Sequence, residues 1–358
     1  MTNPFKFGTI VDGEYFTDRR EELKLIQLYV SGPNHVILIS PRRFGKTSLV
    51  KKALISLGRP YVFVNLQSVV SVTDFAASII KEALRHHKWE RLKYEISQFR
   101  IVPTLSTSPF GDGFDVSFHP MQNPIVALED SFAMLERLSN QSNRLIVVLD
   151  EFQDIVGLGH GIEKRLRAIL QEQKNINYIF LGSQESMMTE IFERKKSPFY
   201  HFGQLMRLSK IPYDDLKRFI AERLPSQDCC SSDEIADSIL SMTGCHPYYT
   251  QQLASQVWGI LAYQSQQSGT DVVEMAIDQL TEIHDLDFER VWINFNNTDR
   301  RVLKMLCETK KPLADRSLPT STTYSALKRL MRAGYVTKVD NYEIDDPFFR
   351  RWLIARRM

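Results

Sequence analysis

The chain has 358 residues, 43% of them hydrophobic and 25% charged, with a formal net charge of +2. That composition supplies apolar material for two or three cores and excludes a disordered or fibrous chain. No apolar run approaches the roughly 18 residues of a membrane span, and the first residues, Met1 to Phe7, lack the apolar centre of a secretory signal, so a cytoplasmic location is expected.

Asn3 to Phe16 is loop-like, with Gly8 and Gly13, and Thr17 to Leu23 reads as a capped helix start running toward Val30. Val36 to Ile39 is an all-apolar run, the pattern of a parallel strand buried on both faces. Ser40 to Gly45 cannot continue it, and helical spacing begins at Lys46. Strand, loop and helix in this order aim the helix's first N–H groups and its dipole at whatever binds, which makes an anion site. Gly45, Lys46 and Thr47 match the end of the Walker A pattern: the glycine lets backbone approach phosphate, the lysine reaches the β/γ-phosphates and the threonine offers a hydroxyl to Mg²⁺. Pro41, Arg42, Arg43, Phe44 and Ser48 complete the expected nucleotide-binding loop, and Ser40 stands where the pattern has its first glycine.

Tyr61 to Val64 is a second strand, and Thr73 to His87 an amphipathic helix. Between Ile101 and His119, Pro103, Pro109, Gly111 and Gly113 punctuate two short segments of a hairpin. A helix over Pro124 to Asn140 leads into Leu145 to Leu149, an apolar run that ends in Asp150 and Glu151. A buried parallel strand ending this way sets Asp150 beside the phosphate loop, where it can serve the Mg²⁺ shell, and Glu151 is suited to polarise an attacking water. Gly157 to Gly161 predicts a mobile loop, and Ile162 to Gln173 a helix. Tyr178 to Leu181 is another strand; Ser183 or Gln184 at its end could sense the γ-phosphate, or simply form a strand-end turn. Leu205 to Leu208 predicts a last strand. The fold class expected is α/β: a P-loop core of about five mostly parallel strands with helices on both faces, over residues 1–210.

Residues 211–296 predict a helical lid, with helix starts at Pro212 and Ser231 and with His246 capping a helix that opens on Pro247. Residues 297–358 predict a helix, a second helix from Thr320 to Ala333, a hairpin from Tyr335 to Ile344 and a final helix from Pro347, the order of a winged helix. Residues 299–358 carry 14 Lys and Arg against 7 Asp and Glu, so this end is basic while the remainder is acidic. Cys229, Cys230, Cys245 and Cys307 show no metal-ligand or disulfide spacing and are expected as thiols.

Together these residues resemble the archaeal-type ATPases of the AAA+/STAND group, in which a phosphate-loop domain, a helical lid and a C-terminal winged helix follow one another. The resemblance rests on Phe16 to Leu23, Ser40 to Ser48, Leu149 to Phe152, Gly182 and Ser183, Gly244 to Tyr249, and Asp346 to Leu353. It implies that Lys46 and Thr47 bind phosphate and Mg²⁺, that Asp150 completes the metal site, that Glu151 is the catalytic base, that His246 touches the nucleotide, and that the nucleotide is ATP. The chain departs from the group at Cys245, where a second glycine usually precedes His-Pro, and at Asp18, often glycine. It departs again at His201 to Gln204, where relatives carry Gly-Arg; Arg194, Lys195 and Arg207 are left as candidates for an arginine finger. Two functions follow: a slow Mg²⁺-dependent ATPase working as a switch or loading machine, or a nucleic-acid-binding regulator with ATP as structural ligand. The partners expected are ATP and, through the winged helix, duplex DNA or a protein, with oligomerisation left open and no membrane.

Overall fold

Five short runs rich in Val, Ile, Leu, Phe and Tyr become one parallel sheet in the computed structural model, which describes residues 2–86, 89–107, 114–119, 123–225, 231–263, 271–308, 312–314, 317–338 and 341–356. The chain divides into two compact units. One comprises Arg20–Ser40 and Leu49–Leu208; the other comprises Met1–Arg19, Pro41–Ser48 and Ser209–Met358.

The first of these units holds the sheet. Its elements in chain order are α1 (Arg20–Ser31), β1 (Val36–Ile39), α2 (Lys46–Leu57, which begins inside the phosphate loop), β2 (Tyr61–Asn65), α3 (Val72–His86), α4 (Trp89–Ser97), β3 (Thr104–Thr107), β4 (Phe114–Ser117), α5 (Pro124–Leu138), β5 (Leu145–Asp150), α6 (Ile162–Glu172), β6 (Ile176–Gly182), α7 (Glu185–Phe192) and β7 (Gln204–Arg207). The sheet runs β2-β5-β6-β1-β7, and every pair in it is parallel rather than most of them. β1, β5 and β6 are buried along their whole length, as central strands covered by helices on both faces must be. β6 begins two residues before the expected Tyr178 because Ile176 and Asn177 already pair with Leu145 and Ile146.

Three local expectations change. α4 was not anticipated; Leu92 and Ile96, one turn apart, bury its inner face. Phe152–Leu158 forms a 3-10 helix, so Gly157 and Leu158 fall within a short helix rather than a loop, and Phe152 and Ile155 anchor it in the core. Asp18 and Arg19 do not cap α1 in the ordinary way: both sit in the left-handed region, at φ 53° and 63°. The left-handed backbone explains why glycine suits position 18, and Asp is among the few other residues that tolerate it. The predicted hairpin exists as antiparallel β3 and β4; Pro109, Gly111 and Gly113 lie outside the described residues, as do Cys229, Cys230 and Asp340.

His35 precedes β1 with its Nδ1 accepting the Tyr178 amide at 3.2 Å and its ring packed on Tyr178 and Phe202. Burial, with the Arg167 charge adding to it, lowers its pKa from 6.5 to about 4. The unfolded chain therefore binds the extra proton between these values and the folded one does not. Stability from this group is complete above pH 6.5 and lost as pH falls toward 4, a difference of roughly 3 kcal/mol. His35→Gln is expected to flatten that part of the urea-denaturation profile against pH.

The second unit is helical: α8 (Tyr213–Ala221), α9 (Ser232–Thr243), α10 (Pro247–Tyr263), α11 (Asp271–Ile283), α12 (Asp285–Asn294), α13 (Asn297–Glu308), α14 (Thr320–Arg332), the hairpin of β8 (Val336–Lys338) and β9 (Tyr342–Ile344), and α15 (Pro347–Ala355). Ser231 and Glu234 form a reciprocal capping box at α9. One hydrophobic core runs from Leu216 in α8 to Leu353 in α15, with Phe288 of α12 against Phe349 and Trp352. α12 was not anticipated as a helix. α13 and α14 are tied by Arg329, whose guanidinium grips the buried Asp299 carboxylate from two nitrogens. Thr323 is fully buried and so is not open to a ligand, whereas Arg329 stays exposed while it holds Asp299. Cys245 and Cys307 are free thiols, both held above their usual pKa by burial. Among the described residues no helix is long and apolar enough to cross a membrane.

Candidate nucleotide site

All five strands of the parallel sheet end at one edge, and the register states what stands there. Asn65 lies across from Asp150, Leu149 across from Phe180, and Ile39 across from Gly182. Ser40, buried and small, continues β1 by donating its amide to the Gly182 carbonyl at 3.3 Å. A Cβ at 182 would meet Met188 Sδ at 2.3 Å, so a larger residue there would have to displace the Met188 side chain.

Asp150 ends β5 buried, its Oδ1 accepting the Glu151 amide at 2.9 Å. Glu151 takes a left-handed conformation, φ 51°, which turns the chain abruptly out of the strand. Such a conformation costs a non-glycine residue of the order of 1–3 kcal/mol and is characteristic of functional positions. Three donors converge on its Oε2: Ser183 Oγ at 2.6 Å, Ser183 N at 3.2 Å and Gln153 Nε2 at 2.6 Å. The carboxylate expected to serve as base and the hydroxyl expected to sense phosphate are therefore brought together. Gln184 instead stands at the N-cap position of α7 without a side-chain cap bond. Gln153, which sequence reasoning missed, is buried, and its Oε1 has no hydrogen-bond partner among the described residues. Turned over, its amide would set an oxygen against the carboxylate, so Glu151 fixes its orientation. The signal available was a second polar residue two positions after Glu151, on the face that the 3-10 helix buries.

The phosphate loop belongs to the other unit. Gly45 adopts φ 86°, with open space where a Cβ would stand. Lys46 is buried, and its Nζ donates to the Pro41 carbonyl at 3.3 Å, so the ammonium lies over its own loop. Pro41 and Phe44 are buried, Thr47 is half-buried, and Arg42 is exposed. The Ser48 hydroxyl accepts the Val11 amide at 2.9 Å. Arg19, another residue without an obvious local signal, is buried and donates to the carbonyls of Phe44 at 3.4 Å and Ser209 at 2.7 Å, anchoring the loop from the lead-in.

Arg43 sits in the left-handed region at φ 64°. Its guanidinium lies 4.5 Å from the centre of the Tyr248 ring and donates to the Tyr249 hydroxyl at 3.0 Å. Burial alone would lower its pKa; Tyr249, Tyr248 and Asp346 outweigh that and raise it. Burial likewise drives the Tyr249 phenol far above its usual value, so it stays protonated. His246 caps α10 as expected, its Nδ1 accepting the amides of Tyr248 at 3.2 Å and Tyr249 at 3.5 Å, and its ring meets Phe44 edge-on at 4.9 Å. Of the finger candidates, Arg194 and Lys195 are exposed and Arg207 is paired with Glu193.

Carboxylate and hydroxyl oxygens, as offered by Asp150 and Thr47, are the hard donors that suit Mg²⁺. Among the described residues there is no group of three or more His, Cys, Asp or Glu that could hold a metal by itself.

Residues 16–253 match the model of an ATPase domain predominantly from Archaea. None of the curated proteins compared with the chain matches it. Among solved structures, the Walker-type ATPase paby2304 of Pyrococcus abyssi is 16% identical at a TM-score of 0.65, over 95% of this chain and 97% of that one. The ORC2 protein of Aeropyrum pernix, solved as ADPNP-ADP complexes, is 14% identical at 0.56 over 99% of each chain. The ORC1 protein of Aeropyrum pernix in complex with DNA is 13% identical at 0.53 over the whole of both chains. At these identities the structural likeness speaks for the fold alone. The family match extends from the lead-in at Phe16 through the phosphate loop and the Asp150–Glu151 strand end into α10, and the chain belongs to this family of P-loop ATPases found predominantly in Archaea.

Proposed function

We propose that this protein binds ATP with Mg²⁺ and hydrolyses it slowly, using the cycle as a conformational switch or to load a partner. The observation that carries this reading is the Glu151 carboxylate, held by Ser183 and Gln153 at the sheet edge next to the buried Asp150. In the division proposed here, residues 1–210 form the ATPase core, 211–296 the helical lid and 297–358 the winged helix. Backbone amides of Arg43 to Ser48 at the start of α2 receive the phosphates, and Lys46 exchanges the Pro41 carbonyl for β/γ-phosphate oxygens. Thr47 and Asp150 would hold Mg²⁺, which neutralises phosphate charge when bound. Glu151 takes the proton of the attacking water, and Ser183 orients the carboxylate. The adenine preference rests on the family alone.

A second reading, in which the winged helix binds duplex DNA, draws support from α14. Ser321, Tyr324, Ser325, Lys328 and Arg332 are exposed along one stripe of it. The related ORC1 structure contains DNA. One experiment addresses both readings: phosphate release from ATP with Mg²⁺, with and without duplex DNA. Turnover that disappears without Mg²⁺ is expected, and its absence under every condition would end the ATPase reading. Stimulation by DNA that fades with rising salt, and that Lys328→Glu with Arg332→Glu removes, would establish the second.

A further inference from the structure

One residue of the phosphate loop is turned away from the loop it belongs to. Lys46 folds back over Pro41, whereas Arg43 leaves the loop from a left-handed backbone and lays its guanidinium on α10. Its hydrogen-bond partner Tyr249 is buried and meets Phe348 of α15 edge-on, at 6.0 Å between ring centres. A parallel line of contact runs from Phe44 to the ring of His246, and from His246 to Asp345, the residue after β9. Both lines end at the N-terminus of α15, where Asp346 caps the helix by accepting the amides of Phe348 at 2.8 Å and Phe349 at 3.1 Å.

The His246 contact is incomplete. Because Nδ1 accepts two backbone amides, the ring proton sits on Nε2. Nε2 is buried, lacks a hydrogen-bond partner among the described residues, and faces Asp345 Oδ1 at 3.7 Å. That is about half an ångström beyond hydrogen-bond length. A displacement of the first turn of α10 by about half an ångström would form this bond, and coupling between sites requires such a contact to have two arrangements.

We propose that Arg43 is a positioning residue that couples the phosphate loop, through Tyr249 and the His246–Asp345 contact, to the start of α15, so that filling the loop tightens the C-terminal helix. The inference rests on the reading that the loop binds ATP. When the loop closes on phosphate, Arg43 draws the Tyr248–Tyr249 turn with it, His246 Nε2–H reaches Asp345, and the α15 cap is held more firmly. Linkage then requires that whatever stabilises α15 also tightens ATP by the same factor.

The test is hydrogen exchange of the amides from Phe348 to Ile354, with and without ATP and Mg²⁺, in the wild type, Tyr249→Phe, Arg43→Ala and Arg43→Lys, together with ATP affinity for each. Slowing of exchange by ATP of about fivefold or more is expected in the wild type, in line with ordinary coupling energies. Tyr249→Phe, close to isosteric, should keep the fold and bind ATP while losing most of the slowing. Arg43→Ala should lose it whatever its affinity, and Arg43→Lys should not restore it, since an ammonium cannot both stack and donate as the planar fork does. ATP bound by the wild type without slowing at α15, or slowing retained in both Tyr249→Phe and Arg43→Ala, overturns the coupling while leaving ATP binding intact. Failure of the wild type to bind ATP overturns the nucleotide reading and the coupling with it.

Discussion

Glu151→Gln is expected to retain ATP and to slow phosphate release by two to four orders of magnitude, the range that a positioned general base contributes. The amide is isosteric and its oxygen can still accept from Ser183 Oγ, so the strand end keeps its shape while the group that takes a proton is lost. Lys46→Ala should behave in the opposite way, losing affinity because nothing replaces the ammonium at the phosphates. Nucleotide binding by titration calorimetry and phosphate release under single-turnover conditions separate the two. Hydrolysis unchanged in Glu151→Gln would remove Glu151 from the mechanism, whatever became of the fold.

The second large effect concerns the residue next to it. Phe152 is fully buried and touches Phe180, Phe192 and Phe199, with ring centres 4.7, 5.4 and 5.2 Å away. Phe152→Ala should lower the stability of the sheet-bearing unit by about 3–5 kcal/mol, the usual cost of removing a buried aromatic ring. Phe152→Leu, which keeps most of the volume, should cost far less. The urea midpoint at unchanged slope reads the difference. This ring is the anchor from which Glu151 departs, so loss of activity in the alanine variant should track the fraction unfolded. A variant that stayed fully folded yet inactive would reveal that the aromatic cluster also sets the carboxylate's position.

The sheet was legible because its strands are short apolar runs bounded by residues that cannot continue them, and the Walker loop because Gly45, Lys46 and Thr47 each answer to phosphate chemistry. Asp150, Glu151 and Ser183 were placed at one edge by the parallel topology, and the register brings them there. α4 carries apolar residues at helical spacing as plain as that of α3; the short polar stretch before it hid a second helix. The left-handed turn at Asp18 and Arg19 was concealed because Thr-Asp ahead of two glutamates also satisfies a capping rule. The partners of Arg43 had no local signal at all. Tyr248 and Tyr249 lie some two hundred residues further on, and only the folded chain reveals that one loop arginine packs on the first turn of α10.

The way the two units divide the chain has a consequence for its birth on the ribosome. Every strand of the parallel sheet has been made by Leu208, whereas the unit that owns the phosphate loop needs Ser209–Met358, and its core is closed by α15 near the far end. At synthesis rates of about 5–20 residues per second, the loop waits on the order of ten seconds or more for the helices that complete its surroundings. During that interval Arg43 lacks Tyr248 and Tyr249, its partners in the finished unit.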